Sequence, residues 1–273
     1  MSEARQAAVA GIFYPDQADE LREMVCGFLA GATEQAAAPK AIIAPHAGYV
    51  YSGPIAASAY AQIASARWTI HRVVLLGPAH RVPFQGLAAP SVDRFVTPLG
   101  SIAIDHAGIE RVLTLEQVQI FDQAHAMEHS LEVHLPFLQE VLDRFTLVPL
   151  VVGGATPDEV AEVLELLWDG PETLIVISSD LSHYHDYATA QRLDRNTSNA
   201  IEALQPDAIH DDDACGRIAI NGLLRVAKRR GLQAKTLDLR NSGDTAGPRD
   251  RVVGYGAYVF NQVATTVQSL SLC

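Results

Sequence analysis

Residues 173–187 read TLIVISSDLSHYHDY. Leu174–Ile177 is apolar without alternation, the pattern of a strand buried on both faces. It breaks into Ser178 and Ser179 and then presents Asp180 and His183. The same grammar occurs twice upstream. In AIIAPHAGYVYSG (41–53) the run Ala41–Ala44 meets Pro45 and then His46, and in RVVLLGPAH (72–80) the run Val73–Leu76 breaks at Gly77-Pro78 and delivers His80. Two more apolar runs, Leu147–Val152 and Val252–Phe260, complete a set of buried strands. Between them lie stretches with apolar residues three and four apart, at Ala18–Leu29, Ile55–Ile63, Leu131–Leu142, Pro157–Trp168 and Ala214–Ala227, which predict helices. Strands alternating with helices indicate an α/β domain with a largely parallel or mixed central sheet flanked by helices. Ligands bind beyond the carboxyl ends of the strands in such folds, so His46, His80, Asp180 and His183 are expected to converge on one pocket.

Pro54 and Pro157 are expected at helix starts, where a missing N–H costs nothing, with Thr156 as N-cap and Glu159 in the first turn. The stretch Gly86–Ile104, with Pro90, Pro98 and Gly100, reads as a hairpin-like excursion or an antiparallel edge. The Ala-rich residues 31–39 are the loosest segment but too short to separate domains, so a single domain over residues 1–273 is expected.

The chain carries 20 basic and 32 acidic residues, a net charge of −12, which argues against binding a phosphate backbone. Its one dense basic cluster, Arg225, Lys228, Arg229 and Arg230, falls at the end of a predicted helix and complements the helix dipole. With 48% hydrophobic and 19% charged residues the composition is that of an ordered globular chain. Cys26, Cys215 and Cys273 form no close pairs, which fits a reducing compartment. No secretory signal and no apolar run long enough to span a bilayer is visible, so a cytoplasmic location without membrane contact is expected.

Neutral imidazole is the commonest nitrogen ligand of borderline metals, and histidines placed behind several strands point to a metal site. Asp244, between Gly243 and Gly247 in NSGDTAGPR (241–249), would complete a set of two histidines and one carboxylate with His46 and His80, the facial arrangement that suits Fe(II), with Cu or Zn as other candidates. A competing motif is His125-Ala-Met-Glu128-His129, which matches the H-x-x-E-H of some zinc peptidases. The alternative places Glu128, His129 and His134 around the first pocket as partners of the ligands or contacts to substrate. Tyr51, five residues after His46, and Tyr14 are further candidates to line it. Cys215 follows Asp211–Asp213, whose charge would raise a thiol pKa, and reads as a small apolar residue at a helix start. No G-x-S-x-G, G-x-G-x-x-G or P-loop pattern is present.

The ordered motifs AVAGIFYP (8–15), APHAGYVYSGPIAASAY (44–60), LLGPAH (75–80), TPLG (97–100), EHSLEVHLPFLQ (128–139), ISSDLSHY (177–184), NSGDTAG (241–247) and VVGYGAY (252–258) resemble the Memo family, in particular its bacterial AmmeMemoRadiSam system protein B branch. The resemblance implies a fold like that of the class III extradiol ring-cleaving dioxygenases. It implies His46 and His80 as metal ligands and Asp180 and His183 as an active-site pair. The animal members use a cysteine as third ligand; counted back from Tyr255 it falls at about Thr245, so Asp244 is expected to replace it here. An iron oxidoreductase of dioxygenase type follows as the leading expectation. A metal- or peptide-binding adaptor is the alternative, and the family's gene neighbourhood implies AMMECR-type and radical SAM proteins as partners.

Overall fold

The computed structural model describes residues 3–33 and 38–262; Cys273 and residues 34–37 of the Ala-rich stretch lie outside the described residues. Among the described residues, twelve strands pair into one sheet. In chain order they are β1 (Ala4–Arg5), β2 (Ala41–Ala44), β3 (Arg72–Pro78), β4 (Leu87–Ala89), β5 (Arg94–Thr97), β6 (Gly100–Ile104), β7 (Val118–Ile120), β8 (Thr146–Val152), β9 (Thr173–Ser178), β10 (His183–His185), β11 (Leu232–Asn241) and β12 (Val252–Gln262). The helices are α1 (Ala18–Ala30), α2 (Tyr49–Tyr60), α3 (His106–Val112), α4 (Asp122–Ala126), α5 (Leu135–Val141), α6 (Pro157–Leu166), α7 (Tyr187–Glu202) and α8 (Arg217–Arg229).

The centre of the sheet is parallel and runs β6-β8-β3-β9-β2. Every residue of β2 and β9, and all but the first of β3 and β8, is buried, as strands covered on both faces must be. Beyond β2 the direction reverses: β12 pairs antiparallel with β2, β11 and β10. At the other side β5 and β6 form a hairpin through Pro98 and Leu99, so Gly86–Ile104 does contain an antiparallel excursion. The architecture is therefore mixed α/β with a parallel centre.

Thr156 caps α6 as expected. Its hydroxyl accepts from Glu159 N at 3.2 Å, and Glu159 accepts in return from Thr156 N at 2.6 Å. Pro54 corrects an expectation: α2 begins at Tyr49, so Pro54 lies inside it rather than at its start. Three of the four basic side chains pair with acids, Arg225 meeting Asp158 and Asp207 and Arg229 and Arg230 meeting Glu165.

The order β3-β9-β2 has a consequence for the site. Adjacent strands lie about 5 Å apart, so residues just past the three parallel carboxyl ends fall within about 10 Å of one another. Ala44, Pro78 and Ser178 are those ends, and His46, His80 and Asp180 each follow by two residues.

Candidate metal centre

His46 is almost fully buried at the head of the loop after β2, and its Nδ1 lies 2.6 Å from Ser178 Oγ. His80 sits across from it, with ring centroids 5.1 Å apart. Glu128 holds His80 from behind: Oε2 accepts from His80 N at 2.6 Å and Oε1 meets His80 Nδ1 at 2.9 Å. Oε1 also accepts from the backbone of His129 and Ser130, each at 2.9 Å. Burial alone would raise the Glu128 pKa, but these bonds outweigh it and hold the carboxyl at about 2, so it is an anion throughout the physiological range.

The third group is Cys215. It occupies the turn that leads into α8, and its Sγ stands 3.4 Å from His46 Nε2. Asp180 N donates to the sulfur at 3.3 Å. The turn can press this closely on the end of β9 because residue 216 is glycine. A Cβ there would lie 2.5 Å from Ser178 O and 2.7 Å from Ser179 Cβ. Ligand atoms of His46, His80 and Cys215 all lie within 4.8 Å of one another. An ion with ligand bonds of about 2.0–2.3 Å sets tetrahedral nitrogen and sulfur donors about 3.5 Å apart, so this donor set fits a single metal ion.

Burial sets the protonation of these donors. Burial, reinforced by His80, His129, His134 and His183, drives the His46 pKa well below its ordinary value, leaving a neutral ring of the kind that ligates. Burial, then the Asp180 carboxyl, pushes the Cys215 thiol up to about 12, so without a cation it stays protonated. Asp180, itself buried, is pushed up to about 7 even though the His46 and Ala47 backbones donate to it.

The group forms one wall of a cavity of about 950 Å³ that His129, Asp180 and His183 also line, with Phe13 at one side and Asp211–Asp213 at the mouth. His183 is half-buried and its pKa is lowered, chiefly by burial. The structure thus brings together His46, His80, Glu128, His129, Asp180 and His183, all read from the sequence, and adds Cys215.

It does not bring Asp244 there. Asp244 closes the turn after β11, accepting from Asn241 N at 3.0 Å and from Tyr187 Oη at 2.5 Å, and it lines a separate cavity beside α7. Both carboxylate oxygens are engaged in holding that turn. Tyr14 and His134 are also corrected. The Tyr14 hydroxyl donates to the buried Glu132 at 2.5 Å, and His134 Nδ1 meets Tyr60 Oη at 2.7 Å inside the core. Tyr51, 39% exposed, stays out of the cavity lining. The peptidase arrangement is absent as well: α4 ends at Ala126, and buried His125 turns its Nε2 to Ala88 O at 2.9 Å, away from His129. A second compact group, His80, Glu128 and His129, shares His80 with the first.

The Memo family profile, described as Memo-like protein, matches residues 5–259. A MEMO1 family protein of Aquifex aeolicus is 34% identical over 270 residues, covering 94% of this chain and 98% of its own. Those of Thermoplasma volcanium and Thermotoga maritima are 32% and 33% identical, covering 93% and 92% of this chain and 97% of each relative. A solved structure of an uncharacterized protein, JW3007 from Escherichia coli K12, overlaps at a TM-score of 0.49 and 13% identity, covering 80% of this chain and 98% of that one, too loosely to add to the fold. With the profile spanning nearly the whole chain and relatives matched end to end, the chain belongs to the Memo family.

Proposed function

We propose that this chain holds one divalent metal ion between His46, His80 and Cys215 and works as a redox metalloenzyme of extradiol-dioxygenase type on an oxygen-bearing small molecule. The observation that carries this reading is the convergence of three donor atoms from three separate elements within 4.8 Å, on the wall of an open cavity. Fe(II) is the metal we favour for dioxygen chemistry. Replacing the expected carboxylate by a thiol also makes the set suitable for copper or zinc.

When bound, the metal would supply Lewis acidity and a template that makes a substrate hydroxyl more acidic. The rest falls to the chain's own side chains. His183, neutral because burial disfavours its charge, would take the hydroxyl proton at an imidazole nitrogen and return it later. Asp180 accepts from His46 N at 2.8 Å and so anchors the loop that carries His46. His129 stacks on His80 with centroids 4.7 Å apart and restricts that ring's motion.

The test is anaerobic purification with metal analysis, followed by oxygen-uptake measurements with a panel of catechols. Wild type should carry stoichiometric metal, His46→Ala and Cys215→Ala should lose it, and Asp244→Ala should keep it. His183→Ala should keep metal and lose turnover. Substoichiometric metal in wild type, unchanged by the first two substitutions, would sink the proposal. An adaptor reading is favoured by Tyr184, whose large ring lines the same cavity and is 64% exposed. It predicts that a peptide, AMMECR-type or radical SAM partner still binds the His46→Ala, His80→Ala double variant.

A further inference from the structure

Two imidazoles can share an ion only if each turns a lone pair toward it, and the bond made by the other ring nitrogen decides which one. For His80 the matter is simple. Both Glu128 oxygens already accept backbone N–H groups, so the bond to His80 Nδ1 is one that the ring donates, and Nε2 is the nitrogen left for an ion. His46 has no carboxylate behind it. Its Nδ1 faces the hydroxyl of Ser178, which taken alone could donate or accept.

The neighbour of Ser178 removes that ambiguity. Ser178 Oγ donates to Ser130 O at 2.6 Å. A hydroxyl has one proton, and with it given to Ser130, Ser178 can only accept from His46 Nδ1–H. His46 Nε2 is then bare, and that is the atom 3.4 Å from Cys215 Sγ. Ser130 is itself fixed on every side. Its own hydroxyl donates to Pro78 O at 2.8 Å, and its N–H donates to Glu128 Oε1 at 2.9 Å. Gly77 leaves the room for this, since a Cβ there would stand 2.9 Å from Ser130 Oγ and 2.8 Å from Leu131 Cδ2. One buried serine therefore sits behind both histidines, touching the carboxylate of one and the hydroxyl of the other.

We propose that Ser178, oriented by the Ser130 carbonyl, is a positioning residue that sets the His46 tautomer, doing for His46 what Glu128 does for His80. The consequence for metal binding rests on the function proposed above, whereas the tautomer is a property of the metal-free chain. The two are measured separately. NMR of the metal-free full-length protein with isotope-labelled histidine should find the His46 proton on Nδ1 and Nε2 unprotonated, and in Ser178→Ala the Nδ1 preference should be lost while His80 is unchanged. Co(II) affinity, read by chelator competition, should fall roughly 10- to 100-fold in Ser178→Ala, the usual effect of losing a ligand's outer partner. A His46 proton on Nε2 in wild type would overturn the proposal without any variant having to fold. So would a Ser178→Ala protein with the wild-type tautomer and affinity. A wild-type chain with the Nδ1 tautomer but no Co(II) binding would refute the metal reading and support the assignment to Ser178.

Discussion

Glu128 shows how much one side chain at this site carries. Its two oxygens accept from His80 N, His80 Nδ1, His129 N and Ser130 N. An amide in its place must turn an NH₂ toward one of these donors, whichever way it is flipped. We expect Glu128→Gln to cost about 1–3 kcal/mol, the penalty of leaving buried groups unpaired. For a chain of this size that lowers the thermal midpoint by about 2–12 °C; an unchanged midpoint would show that the carboxylate's bonds are dispensable. His46, His80 and His183 were legible because each follows a buried apolar run in a short motif, and Glu128 because it stands in the dense His125–His129 motif. Cys215 was not, although it lies against His46. The two are far apart in sequence, and the Asp211–Asp213 run beside the cysteine suggested an inert thiol. The thiol is indeed raised to about 12, but by burial and by Asp180. The Asp run faces the cavity mouth instead. The usable signal was Gly216, the residue that lets the turn approach the end of β9. Asp244 misled for the opposite reason: a carboxylate between glycines serves equally as ligand or as turn cap, and here it caps.

Among the elements, α6 was readable at its first residue because its start is a local exchange between Thr156 and Glu159. Thr156→Ala should cost about 1 kcal/mol, which corresponds to a fall of about 2–4 °C in the thermal midpoint. Metal content should not change, because the cap lies outside the cavity lining; a cap-dependent metal content would place α6 in the site after all. Helix α7 gave no such signal. Its buried face is built from Ala190, Asp194, Thr197, Ser198, Ala200 and Ile201, all but the last small or polar, which leaves no apolar stripe to count. Asp194 belongs there because it caps a turn across the gap, accepting from Ser182 N at 3.0 Å. Strand β11 was hidden differently. Among the described residues it pairs with β12 alone, is half-exposed, and has a register shift between Thr236 and Asp238 that breaks the period of two. In each case tertiary contacts, rather than local pattern, decide the element.

At the scale of the whole molecule, the parallel centre followed from apolar runs too continuous to be half-exposed. The reversal at β12 did not, since a buried antiparallel strand carries the same run. The abundance of buried histidine at and around the site has a further consequence for stability. Burial lowers the pKa of His125 and His129 to about 4 and of His134 to about 3, and that of His46 well below its ordinary value. Each is neutral in the folded chain and takes up a proton on unfolding once the pH falls below about 6.5. The unfolded state then binds more protons, so these four groups lower stability as the pH drops from about 6.5 toward 4. Two carboxyls act the other way. Burial raises Asp180 to about 7 and Asp194 to about 6, so in that window the folded state holds protons that the unfolded state has released. His183 is lowered in the same direction, so the histidines outnumber the two carboxyls and the unfolded state binds more protons across the window. The thermal midpoint of the metal-free protein should therefore fall steadily from pH 6.5 to 4.5. A midpoint that holds level or rises over that range would mean that the buried histidines are protonated in the folded state, His46 among them, which would remove the neutral ring that a metal centre there requires.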